Sequence, residues 1–320
     1  MEQLKDRFGR RINYIRISVT DRCNFRCIYC MPEEGIQWKE MSQLLSYEDI
    51  AFFMEQAAAL GISRVKLTGG EPLVRKHVDN LVALLARIEG IEEISLTTNG
   101  TLLTQYAKRL KKAGLARVTV SLDTLSPDRF RQVTRLGSLD DVLAGFDALD
   151  DAGFERTKIN TVLMRGINDG EIVDLIRFAH ARGYDIRFIE LMPSKLIKDW
   201  KGMFLSINEA KGIIEQHFTV RESSKKTNGP SVYYRLESGY VGFITPLSKA
   251  FCAACNRIRL SSEGDIIACL GHDIRISTKD ALKRRDADAV RSLIKYAVSV
   301  KPKEHAMLSR GISSMSAIGG

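Results

Sequence analysis

The chain has 320 residues, enough for one large domain or two smaller ones with a substantial apolar core. Its formal charge of +9 and pI near 9.2 favour an anionic partner such as a nucleotide polyphosphate, although a solvated basic surface has the same composition. No apolar run is long enough to cross a membrane and the N-terminus is polar, so we expect a cytoplasmic protein without membrane contact.

Short apolar segments alternate with amphipathic segments of helical period in the first part of the chain. Strands are predicted at residues 12–19, 62–67, 93–97, 116–122, 157–163 and 184–189. Helices are predicted between and after them, at residues 46–60, 76–88, 104–113, 127–133, 139–152 and 171–182. This alternation predicts an α/β fold whose parallel sheet, covered by helices, forms a curved sheet or an incomplete (β/α)6 barrel.

The alternation ends at Pro193, which divides the chain into residues 1–193 and 194–320. The second part is predicted to contain a helix at 208–217, a hairpin of strands 231–236 and 239–245, and a basic helical region at 278–300. In the first part, the unusual polar loops each follow a predicted strand. Because ligands of α/β barrels bind at the carboxyl ends of the strands, we expect the functional site there.

Six cysteines fall into two groups of three. The first group, Cys23, Cys27 and Cys30, follows the first strand with C-x3-C-x2-C spacing. In a cytoplasmic chain such a tight group indicates metal binding rather than disulfides, with buried thiols or a structural zinc site as the alternatives. Three thiolates are one ligand fewer than a closed [4Fe–4S] site needs, so one iron would remain open to another ligand.

The second group consists of Cys252, Cys255 and Cys269. On spacing alone, the three cysteines with His272 favour a structural zinc site of three cysteines and one histidine. The neighbouring Arg257 and Arg259 would point to the same side of an extended segment, where they could bind an anion or the edge of a purine.

A resemblance to a known family covers almost the whole chain. The first cysteine group, with Tyr29 before its last member, resembles the signature of the radical S-adenosylmethionine (SAM) superfamily, and Gly-Gly-Glu-Pro at 69–72 resembles its SAM-binding element. The second cysteine group, Asn-Arg-Ile-Arg at 256–259 and the terminal Gly319-Gly320 together resemble the GTP 3',8-cyclase family, over about residues 11–320. The resemblance implies a TIM-like radical SAM barrel whose mouth is closed by a C-terminal α+β region.

The resemblance also implies an activity. It is the lyase reaction that converts GTP to (8S)-3',8-cyclo-7,8-dihydroguanosine 5'-triphosphate, the first step of molybdenum cofactor biosynthesis, in which a 5'-deoxyadenosyl radical removes H-3' of GTP. The implied cofactors are SAM and two [4Fe–4S] clusters, the second of which replaces the zinc site favoured by spacing.

The family's contacts are implied at matching positions. SAM contacts are implied at Tyr29, Gly70, Glu71, Ser121 and Met192. GTP contacts are implied at Arg16, Lys66, Thr97, Lys158, Arg257, Ile258 and Arg259. Lys66 stands where the family usually has arginine, which keeps the positive charge but loses the two-pronged hydrogen bonding of a guanidinium.

The remaining expectations concern the tail, the partners and two rival functions. The Gly-Gly tail is implied to reach the active site. Besides GTP, the partners considered are an electron donor, the next enzyme of the pathway (cyclic pyranopterin monophosphate synthase) and a second copy of the chain, with no nucleic acid expected. The rivals are a radical SAM enzyme that acts on RNA or a peptide, and a non-enzymatic iron–sulfur or zinc protein, which would have no use for a SAM element.

Overall fold

The computed structural model describes residues 3–310, so the Gly-Gly tail lies outside the described residues. Within them, twelve strands form one continuous sheet: β1 (Tyr14–Ser18), β2 (Arg64–Thr68), β3 (Glu93–Thr98), β4 (Arg117–Ser121), β5 (Lys158–Leu163), β6 (Asp185–Glu190), β7 (Arg221–Glu222), β8 (Val232–Arg235), β9 (Tyr240–Ile244), β10 (Arg257–Leu260), β11 (Asp265–Ile267) and β12 (Arg275–Ser277). The helices are α1 (Tyr47–Ala59), α2 (Val78–Leu85), α3 (Leu103–Lys112), α4 (Pro127–Thr134), α5 (Leu139–Asp151), α6 (Ile172–Ala181), α7 (Trp200–Met203), α8 (Ile207–Glu215), α9 (Lys279–Lys283), α10 (Ala287–Ser299) and α11 (Met307–Arg310).

The six predicted strands are confirmed, and β1 to β6 lie side by side in chain order as a parallel sheet. The helices that follow them cover the outer face and bury their apolar stripes in one continuous core. Helix α1 begins at Ser46, whose side chain accepts a hydrogen bond from the backbone of Asp49 while the Asp49 carboxylate accepts one from the Ser46 backbone. The predicted α/β fold is therefore confirmed for this half.

The C-terminal part of the chain extends both edges of this sheet. Strand β10 pairs parallel with β1, and β9 pairs parallel with β6, so eight consecutive parallel strands form the curved wall. Antiparallel strands β11 and β12 continue one edge, and β8 and β7 continue the other. Within residues 3–310, no hydrogen-bonded pairing joins β12 to β7, so the sheet remains an open barrel.

The predicted hairpin at 231–245 is confirmed as β8 and β9. The basic region predicted as helical at 278–300 is two helices, α9 and α10, rather than one. They separate because Arg285, between them, has a φ of +52°, a left-handed conformation that ends a right-handed helix. No helix among the described residues is long and apolar enough to span a bilayer.

The register of the strands places basic side chains in one row. Arg16 of β1 lies opposite Arg259 on one side and opposite Lys66 on the other. Because side chains alternate between the faces of a strand, residues paired in this way point to the same face of the sheet. The barrel interior therefore receives a row of cations from strands that are far apart in the sequence.

Candidate active site

The first cysteine group lies on the loop that follows β1. Backbone hydrogen bonds hold this loop against the end of α4, since Arg26 N donates to Thr134 O and Ile28 N donates to Val133 O, at 2.9 and 3.0 Å. Burial raises the pKa of Cys23 to about 11 and that of Cys30 to about 12.

Burial, followed by the neighbouring Cys30, holds the pKa of Cys27 well above its usual range. Three thiols that resist ionisation together form a site in which a bound cationic cluster would relieve the mutual repulsion of the thiolates. The donor set and its burial therefore fit an iron–sulfur cluster.

The glycine pair after β2 allows two loops to approach closely. A Cβ at Gly69, whose φ is +139°, would lie 2.3 Å from the Thr20 carbonyl oxygen, and a Cβ at Gly70 would lie 2.2 Å from that of Arg22. Gly70 N also donates to Thr20 O at 2.9 Å. Only glycine permits this contact, which places the Gly-Gly backbone against the loop that leads into Cys23.

Glu71 is buried and joins the loops after β2 and β3. Its Oε1 accepts hydrogen bonds from Leu73 N at 2.9 Å and Thr98 Oγ1 at 2.7 Å, and its Oε2 accepts one from Asn99 N at 2.6 Å. Burial outweighs these donors and raises the pKa of Glu71 to about 7. The carboxyl group is therefore a structural link that can also carry a charge beside the cysteine loop.

A cavity of about 220 Å³, called the first cavity below, brings this region together. It is lined by the first cysteine group and by all five residues at which SAM contacts were predicted, Tyr29, Gly70, Glu71, Ser121 and Met192. The sequence interpretation did not assign Asp123, which also lines it. The Tyr29 hydroxyl donates to Asp123 Oδ2 at 2.6 Å, and burial raises the pKa of Asp123 to about 6.

A second cavity, of about 160 Å³, contains the second cysteine group. Basic side chains from β1, β2, β6, β10 and the segment after α10 line this cavity. They are Arg16, Lys66, Arg187, Arg257, Arg259 and Lys301. Arg187 and Lys301 were not assigned from the sequence. The signal for Arg187 was present, because it is a cation inside the apolar strand β6, as Arg16 is in β1.

The cations of the second cavity are buried together. Burial, followed by the charges of Arg187 and Arg16, holds the pKa of Lys66 well below its usual range. The Nε atoms of Arg16, Arg187 and Arg257 are buried and have no hydrogen-bond partner among the described residues. Buried donors without acceptors are costly, and an anionic ligand would satisfy them. The site is thus built to receive a strongly negative molecule.

Three residues predicted to contact GTP do not line the second cavity. Thr97 lines the first cavity, where its buried Oγ1 has no hydrogen-bond partner in the described part of the chain. Ile258 is fully buried in the apolar core, because it points away from Arg257 and Arg259 on the other face of β10. Lys158 lines a third cavity, of about 590 Å³, formed at the amino ends of the strands. Its Nζ donates to the Tyr233 hydroxyl at 2.9 Å.

The first and second cavities share a wall. Asn160, Ile189 and Met192 line both of them. Molecules held in the two cavities would therefore meet at these three side chains, and each cavity is lined by one cysteine group.

The zinc alternative for the second cysteine group finds no support from His272. Its Nε2 lies 3.0 Å from the Glu304 carbonyl oxygen, and the residue does not line the second cavity. Burial raises the pKa of Cys252, and the charges of Cys269 and Cys255 add to this, so the three thiols form one mutually interacting set.

Comparison with known proteins gives two matches to family models. Residues 17–179 match the radical SAM superfamily, and residues 184–307 match the family "Molybdenum Cofactor Synthesis C". The boundary between the two matches falls near the point at which the βα alternation ends.

Curated relatives match over nearly the full chain. The GTP 3',8-cyclase of Moorella thermoacetica is 46% identical over 323 residues, covering 99% of this chain and 100% of the relative. The enzyme of the same name from Pseudomonas entomophila is 44% identical over 311 residues, covering 95% and 93%. That of Petrotoga mobilis is 41% identical, covering 98% and 99%.

Among solved structures, SuiB of Streptococcus suis bound to S-adenosylmethionine has a similar fold. The TM-score is 0.62 at 16% identity, and the match covers 87% of this chain and 65% of that one. At this identity the likeness concerns the fold alone.

Proposed function

This chain belongs to the GTP 3',8-cyclase family of the radical SAM superfamily, and from that premise we propose how its two adjoining cavities carry out the family's reaction. The reaction converts GTP to (8S)-3',8-cyclo-7,8-dihydroguanosine 5'-triphosphate, the first step of molybdenum cofactor biosynthesis. The observation that carries the proposal is the shared wall of Asn160, Ile189 and Met192 between two cavities that are each lined by three thiols.

We assign the first cavity to SAM and the first [4Fe–4S] cluster. Cys23, Cys27 and Cys30 would hold the cluster, while the backbone of Gly70 and the side chains of Ser121 and Met192 would contact SAM. When bound, the cluster and SAM supply a 5'-deoxyadenosyl radical that removes H-3' of GTP. The glycine pair keeps the loop after β2 close to the backbone that leads into the cysteine loop.

Glu71 and Tyr29 support this site in different ways. The Glu71 carboxylate holds the backbone of Asn99 and the side chain of Thr98, and it would face the ammonium of SAM with a negative charge. Tyr29 lies between the last two cysteines of its group and is anchored by Asp123, which also accepts a hydrogen bond from Val162 N at 2.8 Å. These bonds hold the cysteine loop in a fixed position relative to β5.

We assign the second cavity to GTP, beside a second [4Fe–4S] cluster held by Cys252, Cys255 and Cys269. Arg16, Lys66, Arg257 and Arg259 would bind the triphosphate, and Arg187 is added to this set because its buried Nε lacks a partner among the described residues. Ordered cations that need no rearrangement favour binding of a polyanion and fix its orientation.

The other predicted GTP residues receive narrower roles. Thr97 is in β3, and its unpaired Oγ1 would accept or donate a hydrogen bond near the shared wall. Lys158 would reach the far end of the triphosphate from the amino ends of the strands, and Ile258 would act by packing behind Arg257 and Arg259.

The protein's contribution to the chemistry is orientation and shielding. The shared wall would orient the ribose toward the first cavity and the base toward the second cysteine group, and the enclosing loops would limit the access of water. We assign the reaction to the lyases. The partners proposed beyond GTP are a one-electron donor for the clusters and the enzyme that consumes the product, while a homodimer stays a prediction.

The decisive experiment is anaerobic incubation of the reconstituted protein with SAM, dithionite and GTP. The expected products are 5'-deoxyadenosine and a cyclised nucleotide, with about eight irons per chain. Replacement of Cys252, Cys255 and Cys269 by alanine should halve the iron content and abolish cyclisation while leaving the first cluster in place. SAM cleavage with RNA or a peptide but not with GTP would refute the assignment, and so would zinc without sulfide at the second group.

A further inference from the structure

Lys301 lies at the second cysteine group, immediately after α10. Its side chain is 2% exposed, and its Nζ donates to the carbonyl oxygen of Ala268 at 2.7 Å. Ala268 precedes Cys269, and Lys301 lines the second cavity together with the three cysteines. A buried ammonium is thus held against the backbone of the cysteine group.

The position of Lys301 is fixed from the other end of the chain. Arg10 donates to the carbonyl oxygens of Pro302 at 2.6 Å, Lys303 at 3.0 Å and Cys252 at 2.8 Å, and is itself held by Asp6. One guanidinium therefore ties the segment that carries Lys301 to the first cysteine of the group. This clamp keeps the distance between the ammonium and the thiols constant.

The positive charge of Lys301 acts on the thiols. Lys301 and Arg257 line the second cavity together with Cys255, so two positive charges share the cavity with this thiol. No carboxylate among residues 3–310 forms an ion pair with Lys301, so its charge is not neutralised by another side chain in the described part of the chain. The charge therefore acts on whatever the cysteines bind.

The first cysteine group has the opposite surroundings. Glu71, Asp123 and Glu190 line the first cavity with its three thiols, although the Arg26 guanidinium donates to the Cys23 carbonyl oxygen at 2.8 Å. Three carboxyl groups thus line the first cavity, while the second is lined by six lysine and arginine side chains.

We propose that Lys301 is a positioning residue that raises the reduction potential of the second cluster above that of the first. The proposal rests on the proposed function, because it requires that Cys252, Cys255 and Cys269 hold a [4Fe–4S] cluster. Reduction adds one electron to a cluster, and a nearby fixed cation stabilises the added negative charge. Hydrogen bonds and charges around cluster ligands tune potentials in this way.

The test compares two neutral variants with a matched control in the full-length, anaerobically reconstituted protein. Lys301→Met removes the charge and the donor, and Lys301→Gln removes the charge but keeps a donor. Lys303→Met removes an exposed lysine two residues away and serves as the control. Each variant is combined with alanine at Cys23, Cys27 and Cys30, so that only the second cluster is titrated with dithionite and followed by its paramagnetic resonance signal.

In Lys301→Met we expect the equilibrium constant for one-electron reduction of the second cluster to fall about tenfold, which equals a potential lower by about 59 mV. Lys301→Gln should show most of this fall, and Lys303→Met none. In chains that lack the second cysteine group, the first cluster should keep its potential whichever residue is at 301.

An unchanged potential in Lys301→Met, with iron and sulfide intact, overturns the proposal. If the neutral variants lose the second cluster, the potential is measured in Lys301→Arg, which keeps the charge. A wild-type reduction potential in Lys301→Arg supports the role of the charge, and a lowered potential refutes it. If the chain with Lys301 intact holds no iron at Cys252, Cys255 and Cys269, the proposed function is refuted instead. Failure of the proposal for Lys301 is thereby distinguished from failure of the proposed function.

Discussion

Replacing Glu71 by glutamine will change both the stability of the protein and its dependence on pH. The Glu71 carboxyl is 1% exposed and has a pKa of about 7, raised by burial from a reference value of 4.5. The folded protein therefore keeps this proton to a higher pH than the unfolded chain does. This tighter binding of the proton contributes roughly 3 kcal/mol to the free energy of unfolding below pH 4.5, and the contribution is lost as the pH rises towards 7. The part that is lost between pH 5.5 and 8 is about 2 kcal/mol.

Glutamine removes this titration and changes the hydrogen bonding. Its amide oxygen can still accept from Leu73 N and Thr98 Oγ1, but its NH2 group then faces Asn99 N, which leaves a buried donor unpaired. At pH 8, this mismatch should lower the free energy of unfolding by about 1–3 kcal/mol.

The assay is urea unfolding of the SAM-free protein under anaerobic conditions, at several pH values between 5.5 and 8. The wild-type protein should lose stability over this range relative to Glu71→Gln, so that the difference between them shrinks as the pH rises. Glu48→Gln, at an exposed glutamate of α1, is the control and should follow the wild-type profile. Parallel profiles for wild type and Glu71→Gln would refute the reasoning, because the carboxyl would then not titrate differently in the folded state.

Three further predictions concern the two cavities. Gly70→Ala should weaken SAM binding in anaerobic equilibrium binding and cost about 1–3 kcal/mol in urea unfolding, because its Cβ would lie 2.2 Å from the Arg22 carbonyl oxygen. GTP binding should raise the Lys66 pKa, which burial lowers in the free protein, so binding should be accompanied by proton uptake at a pH between the two pKa values. Affinity should then rise as the pH falls, and Lys66→Arg should abolish the uptake in calorimetry. Tyr29→Phe should cost about 1–3 kcal/mol in unfolding, because Asp123 Oδ2 loses its donor.

Each of these predictions has a control and a contrary result. Gly212→Ala is the control for Gly70→Ala, because Gly212 lies in α8 with open space around the added Cβ, and it should stabilise the protein by up to about 1 kcal/mol. If Gly70→Ala behaved in the same way, the close approach of Gly70 to the Arg22 carbonyl oxygen would be contradicted. Unchanged proton uptake in Lys66→Arg would assign the uptake to another group. Wild-type stability of Tyr29→Phe would mean that its hydrogen bond does not hold the cysteine loop.

Much of the site could be predicted because its signals are local in the chain. The spacing of Cys23, Cys27 and Cys30 and the Gly-Gly-Glu-Pro element lie within short segments, and every predicted SAM residue lines the first cavity. Strand and helix periodicity, with a capping box at Ser46, similarly predicted β1 to β6. These features depend on residues that are near one another in sequence, so pattern and chemistry were sufficient.

Other features depend on contacts between distant segments, which no local pattern reports. The pairing of β10 with β1 joins residues more than 200 positions apart and places Arg259 beside Arg16, completing the cationic row. Lys158 begins a strand whose amino end faces the third cavity, so its place could not be read from its strand alone. Arg187 and Lys301 are single basic residues that gain a role only from the thiols and cations gathered around them.

The cysteine loop at residues 23–30 illustrates the difference between what the local sequence determines and what the tertiary structure determines. Its composition and spacing indicate a metal-binding loop, in which three thiolates would leave one iron of a [4Fe–4S] cluster open, because ligand type and spacing are properties of the covalent chain. Its electrostatic environment is a property of the fold, because burial and the charges of Glu71 and Asp123 are contributed by the separate loops that follow β2 and β4. The same holds at the second cysteine group, where the closing segment after α10 supplies the positive charge. Folding alone brings these groups within range, since electrostatic interactions depend on distance in space and on burial.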